Sequence, residues 1–229
     1  TLIKRLIKIN NQTVEQVVEP ALTCIPKIYA TFNDWDARHL QVMGWGKNPP
    51  MMTTDGFFHN IILPFRVLFG MGEDFRQVLI NAKLEILLTR ARSDENAVYS
   101  EMAETYTISL SKVQYRLPFI SVDDAHRLQL LKLIEKDKSL PIAFRAWDLY
   151  QYPVLPITTK HTWTIRTSTQ LEKPRYVIVF FQTGRRGSQL KNASEFDHCD
   201  LRNLKLKLNN ESYPHEEMNQ SFSDKNYSM

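Results

Sequence analysis

Glycine is scarce in this 229-residue chain, at 7 residues, and cysteine scarcer still, at 2. The first shortage excludes the common phosphate cradles. Gly70-Met71-Gly72 lacks the third glycine and the following helix of a nucleotide fingerprint, and no Gly-x-Ser-x-Gly elbow exists to expose a nucleophilic serine. Cys24 and Cys199 lie far apart, which offers no disulfide framework and no paired thiolates at metal spacing, and fits a reducing compartment. No apolar run approaches the roughly 18 residues of a membrane span, and no signal peptide opens the chain. The Asn-x-Ser/Thr triplets beginning at Asn11, Asn192, Asn210, Asn219 and Asn226 therefore read as Asn- and Ser-rich loops rather than glycan acceptors. An intracellular, unsecreted protein is expected. The chain starts at Thr1 and stops at Met229 without a closing element, so both ends look cut.

What is present is ordinary in bulk and β-like in detail. Hydrophobic residues make up 43% and charged residues 24%, with 12 Phe, 9 Tyr and 4 Trp. Many aromatics with few glycines suit pleated, half-buried surfaces. A net charge of +4 and a pI near 9.0 permit contact with polyanions without requiring it.

Along the chain, Leu2, Ile3, Leu6 and Ile7 sit among lysines in a piece that fits either a short helix or a strand. Pro20, Pro26, Pro49 and Pro50 then predict loops and short strands around Trp35, Trp45, Phe57 and Phe58. Residues 65–75, with Gly70 and Gly72, predict a turn or short helical piece. Strict alternation from Val78 through Ile80, Ala82, Leu84 and Ile86 to Leu88 predicts a half-buried strand, followed by a loop over 90–96. Tyr106, Ile108 and Leu110 share one face, and Val113, Tyr115 and Leu117 take over after a phase slip, as at a β-bulge. Residues 121–138 predict an amphipathic helix, with Ser121 and Asp124 as a cap and Leu128, Leu131 and Ile134 on one face. Strands are predicted again at Ile142, Phe144 and Ala146, and over 161–167. A run over 175–183 reads as a strand buried on both faces, a turn follows at 184–187, and Leu204, Leu206 and Leu208 make a last strand. The whole reads as an all-β, sandwich-like architecture.

No catalytic constellation emerges. The histidines at 39, 59, 126, 161, 198 and 215 are scattered, and His161 reads as a packed neighbour of Trp163. His198-Cys199 is the nearest approach to a ligand pair, yet adjacent strand residues point to opposite faces, so no metal and no cofactor is expected. Arg185, Arg186, Lys191, Arg202, Lys205 and Lys207 form the strongest basic cluster. It is the candidate nucleic-acid-facing patch, weighed against a solvated loop and the lysine-guarded face of an edge strand. Interleaved aromatics of a stacking platform are absent, so weak or no nucleic-acid contact is expected.

Four blocks carry a resemblance. They are 68–75 with the strand 78–88; Phe144-Arg145-Ala146-Trp147-Asp148-Leu149-Tyr150 with Tyr152-Pro153; 158–176; and Phe196-Asp197-His198-Cys199-Asp200 ahead of Leu204 and Tyr213-Pro214. Together they resemble the double jelly-roll-like proteins of insect and cnidarian genomes, similar in turn to the major capsid proteins of Polinton-type elements and large DNA viruses. The resemblance covers about residues 55–229. It implies two side-by-side eight-stranded sandwiches, three copies forming a pseudo-hexagonal trimer that tiles a shell, and no catalytic residues. The expected layout is the end of a first roll at 1–120, a connecting helix at 121–140, and the start of a second roll at 141–229. Self-association, shell neighbours and a minor penton-type capsid protein are the implied partners, and cytoplasm, nucleus or virion the implied places. Two other readings compete: a jelly-roll module binding glycan or nucleic acid, motivated by Trp163, Tyr176 and Arg185-Arg186, and a domesticated relic that no longer assembles. A metal-bearing cupin-type enzyme lacks the histidine spacing it would need.

Overall fold

Two adjacent asparagines organise the beginning of the chain. Asn10 and Asn11 both take positive φ, 48° and 67°, the conformation of the tight turns that match strand twist and that asparagine tolerates. They join β1 (Leu2–Ile9) to β2 (Gln12–Val18) as an antiparallel hairpin, with Arg5 opposite Val17 and Ile7 opposite Glu15. This settles residues 2–9 and 12–18 as strand. β3 (Leu84–Arg90) pairs antiparallel along the other edge of β1, with Ile7 opposite Ile86, giving the order β2-β1-β3. The computed structural model describes residues 2–33, 35–36, 40–45, 61–101, 105–136, 139, 141–166 and 174–227. It divides into two compact units, one of residues 1–92 and 109–167, the other of 93–108 and 168–229.

In the first unit, β1 is covered on both faces, since consecutive Arg5, Leu6 and Ile7 are all buried. Helix α1 (Pro20–Thr31) follows β2. The expectation of broken chain at Pro20 and Pro26 is corrected here. Pro20 stands in the first turn, where its missing N–H belongs to a group with no intrahelical partner anyway. Pro26 lies inside the helix and is buried, so apolar packing there offsets the lost backbone bond. The pieces expected at 65–75 are two short helices, α2 (Phe65–Leu68) and α3 (Met71–Asp74). Two apolar clusters result. Cys24, Ile28, Leu40 and Val67 form one, flanked by Phe32, Met43, Trp45 and Leu68. Ile7, Phe69 and Met71 form the other, with Phe65, Ile86 and Phe144 packed against it.

Several expected strands are not formed. The ladder expected from Val78 begins only at Leu84, because Asn81 turns into the left-handed region (φ 49°) and Lys83 is tied instead to Asn10 by two hydrogen bonds. Residues 105–120, 141–166 and 176–180 carry no ladder among the described residues, and the run over 175–183 expected to be buried has Tyr176 at 76% exposure. The physical reason is that a strand exists by pairing: alternation supplies a face but not a partner. Residues 167–173 and Pro49, Pro50, Phe57, Phe58, His39 and His59 lie outside the described residues. The helix expected at 121–138 is α4 (Asp124–Glu135). Its cap is Asp123, accepting the amide of His126 at 3.0 Å, rather than Ser121, and no residue of the helix is buried.

The second unit contains no buried residue among those described. A hairpin joins β4 (Leu206–Leu208) to β5 (Glu211–Tyr213) through Asn209 and Asn210, again both at positive φ. Isolated bridges join Phe181 to Asp197 and Ser221 to Asn226. The ladders of both units are antiparallel, as in a β fold.

Candidate interaction surface and basic cluster

The first unit holds an internal polar network that the sequence reading missed. Arg5, 1% exposed, donates from Nη1 to Cys24 Sγ at 3.0 Å and to the Val67 carbonyl at 3.4 Å, and its guanidinium lies 5.3 Å from the Phe69 ring centroid. Its Nε has no hydrogen-bond partner among the described residues. Lys27, 2% exposed, donates to the Arg66 carbonyl and pairs with Glu73 at 2.9 Å. Glu15 accepts the amides of Gly70 and Met71 at 2.9 and 3.0 Å, satisfying the free N–H groups where α3 begins. The alternation of β2, with Glu15 and Val17 inward and Gln16 and Val18 outward, was the available signal. Charged side chains at such positions read by default as solvent-facing.

Within this network Lys27 is paired with Glu73, whereas Arg5 is held by a thiol, a carbonyl and a ring. A cleft of about 340 Å³ beside it is lined by Arg66 and Arg76 together with Asp36 and Glu73, so its charges balance. Arg66 is itself paired with Asp36 at 3.3 Å and lies over the Phe32 ring.

All six residues of the expected basic patch fall in the second unit. Arg185 is held within the protein: it grips Asp197 through Nε at 3.1 Å and Nη2 at 2.6 Å, and reaches Glu195 at 3.1 Å. The grip raises the Arg185 pKa further and, with the amide of Thr183, holds Asp197 down at about 2. Arg186 follows in the same turn, and Lys191 lies close enough to Gly184 to touch a side chain placed there. Arg202, Lys205 and Lys207 surround the β4–β5 hairpin instead. The Arg202 carbonyl accepts the Gln220 amide, and Lys205 donates to the His215 carbonyl with Glu217 3.9 Å away. The patch thus divides between a turn and a hairpin, and its first member is neutralised.

His198 accepts the amide of Asp200 on Nδ1 at 3.0 Å and stacks on Phe222, with ring centroids 4.4 Å apart. Cys199 is exposed, with Sγ 3.7 Å from the Thr183 hydroxyl. No cluster of three His, Cys, Asp or Glu suited to a metal occurs among the described residues. His161 and Trp163 both pack edge-on to Tyr152, at 4.6 and 5.7 Å.

The surface itself is more telling. Large apolar side chains stand exposed along the stretches that lack ladders: Val113, Phe119 (92% exposed) and Ile120, then Val154 and Leu155, then Tyr176, Val177, Ile178 and Val179. The apolar residues of α4 add Leu128, Leu131 and Ile134. Apolar side chains are thus exposed on backbone that carries no ladder among the described residues. No helix among the described residues is long and apolar enough to cross a membrane.

Residues 6–229 match the model of the double jelly roll-like domain, and the chain belongs to that family. No curated protein and no solved structure matches it.

Proposed function

We propose that this protein is a non-enzymatic, capsid-type structural protein that works by associating with copies of itself. On this reading residues 1–120 belong to a first jelly roll, helix α4 lies in the connection over 121–140, and residues 141–229 belong to a second. Three copies would form the pseudo-hexagonal trimer of a virus or virus-derived transposon shell. The observation that carries the reading is the family match over 6–229, joined to exposed apolar residues along backbone that has no strand partner among the described residues. Strand edges and apolar faces left open in one chain are closed most economically by symmetry-related copies, which bury the same surfaces repeatedly. The absence of a catalytic constellation in the sequence agrees with it.

Light scattering with negative-stain microscopy over a range of protein concentrations tests the proposal. Trimers or closed particles that grow in with concentration are the expected outcome. A folded monomer at every concentration overturns it.

A further inference from the structure

Residues 141–166 run through the first unit without a ladder, and every described residue from Tyr150 to Arg166 is exposed. At the start of this stretch two neighbouring side chains do opposite kinds of work. Phe144 packs against the cluster of Ile7, Phe69 and Met71 beside the sheet. Arg145 places three hydrogen bonds on Asp74: its amide at 2.8 Å, Nε at 2.9 Å, and Nη2 to the other carboxylate oxygen at 2.7 Å. Glu73 lies 3.8 Å from the same guanidinium. The receiving side is prepared independently of the stretch, because Glu15 holds the amides of Gly70 and Met71 and so fixes the turn that presents Asp74.

Gly70 completes the fit. A side-chain carbon there would sit 1.7 Å from the Arg145 carbonyl oxygen, so only glycine lets the two backbones approach this closely.

We propose that Phe144-Arg145 is a clasp that seats the 141–166 stretch on the sheet unit, and that releasing it frees residues 150–166 as a strap while the β2-β1-β3 sheet stays folded. The fork of an arginine on one carboxylate gives the clasp its direction, and the phenylalanine beside it supplies the apolar hold. The Tyr152–His161–Trp163 ring cluster travels on the strap and is presented or withdrawn with it.

Limited chymotrypsin digestion, which cuts after Tyr150 and Trp163 but not after Tyr152, where Pro153 follows, is combined with hydrogen exchange of the sheet to test the clasp in the full chain. Arg145→Ala removes the fork, and Arg145→Lys keeps the charge without it. Loss of a bidentate charged pair is expected to raise cleavage within 150–166 roughly tenfold in Arg145→Ala, with a smaller rise in Arg145→Lys. Amides of β1 and β3 should keep their protection in both. Lys83→Ala, which breaks the exposed pair with Glu85, serves as a control that leaves cleavage unchanged. Cleavage that does not rise in either Arg145 variant, or sheet amides that lose protection in step with it, overturns the proposal.

Discussion

At the scale of the residue, charge held by specific partners matters most. Asp74 and Asp197 are each held at about 2 against an ordinary value of 3.8, chiefly by the arginine that grips them. A carboxylate whose pKa falls on folding contributes stability that is complete above 3.8 and disappears as the pH drops through about 2. Both grips should therefore hold from neutral pH down to the ordinary carboxylate range and loosen only below it. An acid titration followed by near-ultraviolet circular dichroism should show this limb, and Asp74→Asn should flatten the first unit's share of it. Arg5 presents the opposite case, a cation enclosed with a thiol, a carbonyl and a ring rather than a carboxylate. Replacing such a buried charge by an apolar side chain of similar length is often neutral or stabilising, by about 1–4 kcal/mol, so Arg5→Met should hold or raise the urea midpoint. Arg5→Ala should lower the unfolding free energy by about 2–4 kcal/mol through the void it leaves, and the urea midpoint with it. Apart from the alternation that turns Glu15 inward in β2, little of this was legible in the sequence. Arg5, Glu15 and Lys27 carry the residue types most often found in water, and only the pairing of β1 with β2 and the docking of α1 turn them inward.

At the scale of the element, local chemistry was the better guide. The two-residue loops Asn10-Asn11 and Asn209-Asn210 take the same left-handed pair of conformations and close both hairpins. A β-branched residue resists that conformation, so Asn11→Val should cost about 1–2 kcal/mol in chemical denaturation, while Asn11→Gly should be neutral or better. The helix at 124–135 was readable from its apolar spacing and early acidic residues, although the cap moved from Ser121 to Asp123. Proline misled where position outweighed type: Pro20 starts a helix that its presence had argued against. Alternation misled differently. Tyr106 through Leu117 and Ile142 through Ala146 show the right period and form no strand, because period two describes a side-chain pattern and a ladder needs a second backbone.

At the scale of the whole molecule, the family was legible although much of the strand layout was not. The four sequence blocks resembled double jelly-roll proteins, and the family match extends well beyond them to residue 6. The hairpin near the start, outside the resemblance, became the sheet on which the first unit's core is built. The two units differ in what holds them. One encloses apolar clusters, and the other is tied by polar contacts such as Gln189 to the backbone of Tyr106 and Arg185 to Asp197, with no described residue buried.

That contrast has a calorimetric consequence. The heat-capacity increment on unfolding follows the apolar surface newly exposed to water. Among the described residues the buried apolar side chains all lie within residues 1–92. The free chain should therefore unfold with the heat capacity of a much smaller protein. Closure of the exposed faces between copies would restore the missing part, so the increment itself distinguishes a chain standing alone from one built into a shell.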